Sequence, residues 1–273
     1  MKTVESIIIG GGPCGLSAAI EQKKKGIDTL VIEKGNIVDA IYHYPTHQTF
    51  FSSSDKLSIG DVPFIVEELK PRRNQALVYY REVVKHHQLK VNAFEEVLTV
   101  KKMHDHFTLT TTKDVYQCRY LTVATGYYGQ HNTLEVEGAE LSKVMHYFKE
   151  PHPYFDQDVV IIGGKNSAVD AAIELEKEGE TITIDNDYVF AMIGYHPDYD
   201  FLQSIGIDIH TNEYGTAPVY NSETYETNIE NCYIAGVIAA GNDANTIFIE
   251  NGKYHGEAIA RHILTKKQSP LES

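Results

Sequence analysis

The sequence predicts an α/β fold, and three observations predict it. An apolar, largely β-branched run, Val4 to Ile9, leads straight into Gly10, Gly12 and Gly15. Three short alternating stretches, EEVLTVKK, HFTLTTT and DVYQC, lie between Lys90 and Cys118. A second apolar run, Asp158 to Ile162, leads into Gly163 and Gly164. Together they read as a Rossmann-like domain with a parallel sheet and a β-meander, followed by a second, truncated Rossmann-like unit.

The first run is short and apolar throughout, as suits a strand buried on both faces of a parallel sheet. Gly10, Gly12 and Gly15 then supply G-x-G-x-x-G, and Leu16, Ala19, Ile20 and Lys23 recur at helical spacing until Gly26 can stop the helix. Asp28 to Ile32 is the second strand, closed by Glu33. A diphosphate needs close backbone approach and exposed amides at a helix N-terminus, and only glycine leaves both open. An acid ~20 positions beyond the turn can accept from a ribose hydroxyl, which suits the unphosphorylated ribose of FAD or NAD. A purely structural turn is the alternative.

Lys34 to Leu69 is loop-rich, with Tyr42, His43, Tyr44, His47, Phe50 and Phe51 beside a Ser52-Ser53-Ser54-Asp55 run. It wraps a cofactor or is an ordinary surface loop with aromatic anchors. Pro71 opens a helical pattern whose core face carries Ala76, Leu77, Tyr80, Val83 and Val84. After the meander, Arg119 to Ala124 reads as a separate buried strand ending in Ala124-Thr125-Gly126. Near the end, Asn231 to Ala235 reads as a short strand, a small-residue loop follows, and Thr246 to Leu264 reads as one helix, capped by Thr246.

Composition narrows the function. With 273 residues and 42% apolar content the chain can bury a sizeable core. A formal charge of -14 argues against nucleic acid or an acidic membrane face and favours a small-molecule partner. No apolar run approaches the ~18 residues of a membrane span, and Met1 to Ser6 shows no leader pattern. Cys14, Cys118 and Cys232 form no C-x-x-C and no metal-type spacing, so a reducing cytoplasm and no metal are expected. His43, His47, His86, His87 and His255 show no ligand spacing either.

The stretches GGGPCGLSAAIEQKKKGIDTL, YPTHQTFFSSSDKLSIGDVPF, ATGYYGQHNTLEVEGAE, VVIIGGKNSAVDAAIELEK and AGVIAAGNDANTIFIENGK span nearly the whole chain. They resemble the thioredoxin-reductase-like flavoproteins with two dinucleotide-binding domains, and within them the YpdA-type bacillithiol disulfide reductases. The late T-x-x-x-x-x-Y-x-A-G element is present as Thr227, Tyr233, Ala235 and Gly236.

The resemblance implies FAD bound by Gly10, Gly12, Pro13, Cys14, Gly15, Glu33, Lys34, Val97, Ala124, Thr125, Gly126, Gly236, Val237, Thr246 and Ile247. It implies NADPH at Gly163, Gly164, Asn166 and Ser167, a small disulfide as substrate, and a homodimer or higher homo-oligomer. Its domain pattern places a discontinuous FAD domain at 1–149 and 187–273, with 150–186 as the remnant of an NADPH domain.

Three departures qualify these expectations. The redox C-x-x-C of thioredoxin reductases is absent, and Val237 stands where the related proteins commonly carry an Asp, which Asn242 or Asp243 would have to replace. The NADPH unit is also short: only Gly179 to Tyr188 separates its helix from a return-strand pattern, although each βαβ unit takes ~30 residues. NADPH binding by this chain is therefore in doubt. Either the chain has an internal deletion, or the molecule carries residues that this sequence lacks.

Cys14 then has two readings. A helix N-terminus lowers a thiol's pKa, and Cys14 should lean toward thiolate and serve as the redox thiol of a disulfide reductase. Alternatively it fills a small position at close helix packing; Cys118, at the end of the meander, and Cys232, just before a buried strand, read as structural. Three function classes follow: an NADPH-driven FAD-dependent disulfide reductase, an FAD-binding module without turnover, and a ferredoxin-NADP reductase-like carrier.

Overall fold

The computed structural model describes residues 1–164, 185–213, 215–243 and 246–268. Its main sheet is built on β1 (Lys2–Ile9), which pairs in parallel with β2 (Thr29–Ile32) on one side and β6 (Val115–Val123) on the other. Between β1 and β2 runs α1 (Pro13–Lys24), ended by Gly26 at φ +72°. The predicted strand, turn, helix and strand are all in place. The loop-rich segment contains two single turns, α2 (Asp39–Tyr42) and α3 (Ser54–Leu57). It leads into α4 (Arg73–His86), whose Ala76, Tyr79, Tyr80 and Val83 are buried. A short β3 (Lys90–Asn92), which the sequence pattern did not reveal, then adds to the free edge of β2.

The meander consists of β4 (Val97–Lys102), β5 (Phe107–Thr111) and the first half of β6. The sequence reading separated DVYQC from the strand at Arg119 to Ala124; the structure makes them one nine-residue strand. The reason lies in β6's two edges. One carries β1 along its length, while the other carries β5 up to Cys118 and then β12 (Cys232–Ile234) from Leu121. Exposed Arg119 marks the changeover.

Alternation along β1 splits the core. Ile7 and Ile9 face a cluster with Leu121, Val123, Phe107 and Ile234, closed by Leu202 and Ile205 of α5 (Tyr199–Ile205). Ile8 faces the other way, toward Ala18 and Ala19 of α1 and toward Ile259 and Ile263 of α7 (His255–Gln268). The expected single helix over Thr246 to Leu264 is two. A one-turn α6 (Ile249–Gly252) precedes α7, and the chain bends at Lys253 and Tyr254 between them.

A second, three-stranded parallel sheet has the order β7 (Val144–Met145), β9 (Tyr188–Ala191), β8 (Val159–Ile162). Phe148, Phe190 and Met192 form its small core. Two chain crossings join it to the main domain, where Asn132 N donates to Gly194 O (3.0 Å) and His196 N to Gln130 O (3.0 Å). The hairpin β10 (Ile209–Asn212) and β11 (Gly215–Pro218) follows α5.

The contact between α1 and α7 leaves no room for adjustment. A Cβ at Gly256 would lie 2.5 Å from Ala18 Cα and 2.8 Å from Ala18 N, both of them backbone. Gly256→Ala is therefore expected to cost ~1–3 kcal/mol, measured by urea unfolding. A change below ~0.5 kcal/mol, the level of an indifferent surface site, would contradict this packing.

Candidate active site

Three glycines of the first turn have different tasks. Gly10 sits at φ +111°, and a Cβ there would strike the Ala124 carbonyl; a Cβ at Gly15 would strike the Gly10 carbonyl. These two exist so that the β1–α1 turn can lie against the end of β6. Gly12 differs, because nothing lies within 4 Å of where its Cβ would be. The turn is closed on its protein side and open on the other. At that open side α1 begins with Pro13 in its first turn and no side-chain cap. Uncapped amides at the start of a three-turn helix, with free space before them, fit a diphosphate.

Glu33 stands beside the turn, buried at 7% exposure. Its Oε2 accepts from Gly11 N (2.6 Å) and its Oε1 from Gly35 N (2.7 Å). Burial raises its pKa against the pull of those two amides. Glu33 thus shapes both neighbouring loops and retains lone pairs for a ribose hydroxyl. Lys34 is exposed, with its Nζ close to Gly129. Val97 opens β4 with its side chain in the core, so it can offer a ligand only backbone; Glu95 N, just before it, donates to Glu33 O (2.9 Å). Ala124 is buried, Thr125 exposed, and Gly126 turns at φ +70°.

The far end of the cradle is assembled around Cys14. A Cβ at Gly236 would lie 3.1 Å from Cys14 Sγ, and one at Gly252 would lie 3.0 Å from Sγ and 3.1 Å from Ile247 Cγ2. Successive contacts therefore link Glu33, the glycine turn, Cys14, Gly236, Gly252 and Ile247. Val237 opens a short 3-10 turn (Val237–Ala240) and brings no carboxylate. Asn242, a candidate to stand in for the missing Asp, has its Oδ1 accepting from Tyr199 OH (2.6 Å) and its backbone N donating to Thr216 O. Thr246 is exposed and does not cap a helix. Its hydroxyl donates to Asp243 O (2.9 Å), and α6 starts three residues later.

The expected lean of Cys14 toward thiolate is reversed. Protein surrounds the thiol, and burial pushes its pKa up to about 12. At ~1.4 kcal/mol per pKa unit, that penalty exceeds the ~1 kcal/mol a helix N-terminus typically supplies. Cys14 is still the one cysteine whose residue is only half-buried; Cys118 and Cys232 are sealed in the core. Tyr44 lies within electrostatic reach of Cys14 and packs edge-on against Tyr128 at 5.1 Å, whose ring meets those of Tyr147 and Tyr195 at a tilt. Of the loop aromatics, Tyr44 is thus the one placed at the site.

Sequence reasoning missed His255, Gly252 and Gly11. His255 sits at the start of α7 and accepts from Gly236 N (3.2 Å), far from it in sequence and without any motif to signal the contact. At the second glycine turn, Gly163 and Gly164 are exposed at the end of β8; Asn166 and Ser167 lie outside the described residues. A surface depression of about 800 Å³ lined by His131, Glu135, Glu137, Glu140 and His146 includes no cradle residue, and its glutamates repel phosphate. No described helix is long and apolar enough to cross a membrane. Among the described residues no three His, Cys, Asp or Glu are grouped to hold a metal ion.

The contrast between Gly12 and Gly15 is directly testable. Gly12→Ala should leave the unliganded chain's melting temperature within ~2 °C of the parent while weakening FAD binding at least about tenfold, read by flavin fluorescence. Gly15→Ala should lower the melting temperature itself. Unchanged FAD binding by Gly12→Ala would remove the diphosphate from this turn.

Comparisons with known proteins agree with this geometry. The family described as pyridine nucleotide-disulphide oxidoreductase matches residues 7–186 and 176–236. Bacilliredoxin reductase Bdr of Bacillus subtilis (strain 168) is 51% identical over 320 aligned positions, covering 96% of this chain and 98% of its own. The solved bacillithiol disulfide reductase Bdr (YpdA) from Staphylococcus aureus is 70% identical, with TM-score 0.94 and coverage of 98% and 100%. The corresponding structure from Bacillus cereus is 50% identical, with TM-score 0.92 and coverage of 97% and 100%. On the strength of this near-full-length identity, the chain belongs to the pyridine nucleotide-disulphide oxidoreductase family, in its YpdA-type branch.

Proposed function

We propose that this chain is an FAD-dependent, NADPH-driven reductase of a low-molecular-weight disulfide, bacillithiol disulfide. The observation that carries the reading is the contiguous set of residues from Glu33 through the glycine turn to Gly236 and Ile247, in a chain 70% identical to a protein named for that reaction. FAD supplies the two-electron chemistry when bound, taking a hydride from reduced nicotinamide and passing the electron pair to a disulfide.

The chain's own residues bind and orient. Gly10, Gly12 and Gly15 bring α1's first amides to the diphosphate, with Pro13 donating no N–H of its own. Glu33 holds the ribose, Lys34 and the backbone at Val97 flank that end, and Ala124-Thr125-Gly126 closes the turn's side. Gly236, Val237, Thr246 and Ile247 border the flavin end. Gly163 and Gly164, with Asn166 and Ser167, are assigned to NADPH.

Cys14 is the proposed redox thiol. Its thiolate attacks one substrate sulfur, forming a new S–S bond and releasing the other half as a thiolate; the electron pair that bound flavin would supply then cleaves this mixed disulfide, returning Cys14 and the second half as thiolates. A pKa of about 12 means that the resting thiol keeps its proton, so the attack requires the cover at Gly236 and Gly252 to open or the proton to be taken on substrate binding.

A second reading has its own support. The chain passes from Ile162 to Tyr188 between two neighbouring parallel strands, leaving no length for a three-strand nucleotide-binding half. The Bacillus subtilis alignment spans 320 positions against a chain of 273 residues, so tens of that relative's residues face no residue here. The family also matches in two segments that overlap at 176–186. On this reading the chain binds FAD without NADPH turnover.

One assay separates these readings. Bacillithiol disulfide should stimulate NADPH oxidation by the yellow protein, and Cys14→Ala should keep the flavin while lowering that stimulated rate at least ~100-fold. Full retained activity in Cys14→Ala would leave Cys14 as packing between two glycines. No flavin reduction by NADPH in the parent would select the module without turnover.

A further inference from the structure

We propose that His255 is the positioning residue of the cradle's flavin end, its imidazole anchoring the Gly236 turn in the conformation that receives the cofactor. The inference rests on the FAD reading above and adds to it a residue that neither the glycine motifs nor the spacing of histidines marks.

His255 is buried at 6% exposure, and Gly236 N donates to its Nδ1 across 3.2 Å. An accepting Nδ1 puts the ring proton on Nε2 and fixes the tautomer. The ring stacks on Tyr225 at 4.0 Å and 17°. Tyr225 is itself fixed, its N donating to Asn221 O (2.7 Å) and its carbonyl accepting from Ile234 N (3.0 Å). The bond to Gly236 N and the stack on Tyr225 together orient the imidazole.

Its backbone is equally restrained. Gly256, the next residue, is pressed against Ala18, and Ser17 Oγ donates to Lys253 O (2.7 Å), so α7 is locked to α1, the helix that carries the glycine turn. The anchored residue needs an anchor. Gly236 sits at φ +82°, ψ −158°, a region open essentially to glycine alone and held only by its surroundings. It is also the point where three parts of the cradle meet: a Cβ on Gly252 would come within 3.2 Å of its Cα, Cys14 flanks it, and Val237 follows. Without an acceptor at residue 255, the buried Gly236 N–H is left unpaired, and the turn relaxes toward water to satisfy it.

The test compares His255→Asn, whose side-chain oxygen can accept the same bond, with His255→Phe, which keeps a ring on Tyr225 but no acceptor. FAD release from the holo-protein, followed by the gain of flavin fluorescence, should be about tenfold or more faster in H255F and within about threefold of the parent in H255N. Amide exchange at Gly236 in the flavin-free chain should be slow in the parent and in H255N, and fast in H255F. Equal release from all three proteins overturns the proposal, as does equal loss in both variants, which would make His255 packing only. If the parent takes up no FAD, the function proposed above fails on its own account; Gly236 exchange then still decides the anchor, and an unprotected Gly236 in the parent overturns it. The same parent measurement serves if H255F does not fold.

Discussion

The site depends on backbone meeting backbone at the head of the sheet. Gly10 lies against the Ala124 carbonyl and Gly15 against the Gly10 carbonyl, so any side chain at either glycine would push the turn off the end of β6. That contact fixes where α1 begins, and α1 fixes the rest. Its Cys14 sets the positions of Gly236 and Gly252, its Ala18 sets α7 through Gly256, and Ser17 holds Lys253. Three segments far apart in sequence, the end of β6, Gly236 and residues 252–256, are thus registered on one helix and its turn. Close packing of this kind transmits small displacements, because no soft contact absorbs them.

The same packing creates a tension at the thiol. Enclosure that aligns the cradle also desolvates Cys14, and desolvation outweighs the helix N-terminus. A reductase that used this thiol would hold it protonated until substrate or a local opening changed its surroundings. Glycines at 236 and 252 are what let the backbone close this tightly on the thiol, since a Cβ at either would lie about 3 Å from Sγ.

The sequence was most readable where function and fold impose the same local rule. Strand, glycine turn, helix and Glu33 lie within one short stretch, and each is specified by its neighbours; the structure has all four as expected. Legibility fell where long-range pairing decides. β6 looked like two strands because its residues change partners at Arg119, which no local pattern records. The C-terminal helix looked continuous because Lys253 and Tyr254 are no helix breakers; the bend follows from Lys253, whose Nζ donates to Lys56 O and Ser58 O while its carbonyl accepts from Ser17. His255 carried no signal at all, since its partner Gly236 is nineteen residues away and the bond involves backbone. The dipole argument for Cys14 had the right sign for its own effect and could not include a burial that only the fold creates.

The central claim is that the segments gathered on α1 form one cradle for one FAD, whatever the second nucleotide unit can do. Titrating the flavin-free chain with FAD, by quenching of flavin fluorescence, tests it most directly. The account predicts saturation at one FAD per 30.7 kDa chain, with no NADPH required. Absence of saturable binding by a folded chain would contradict it.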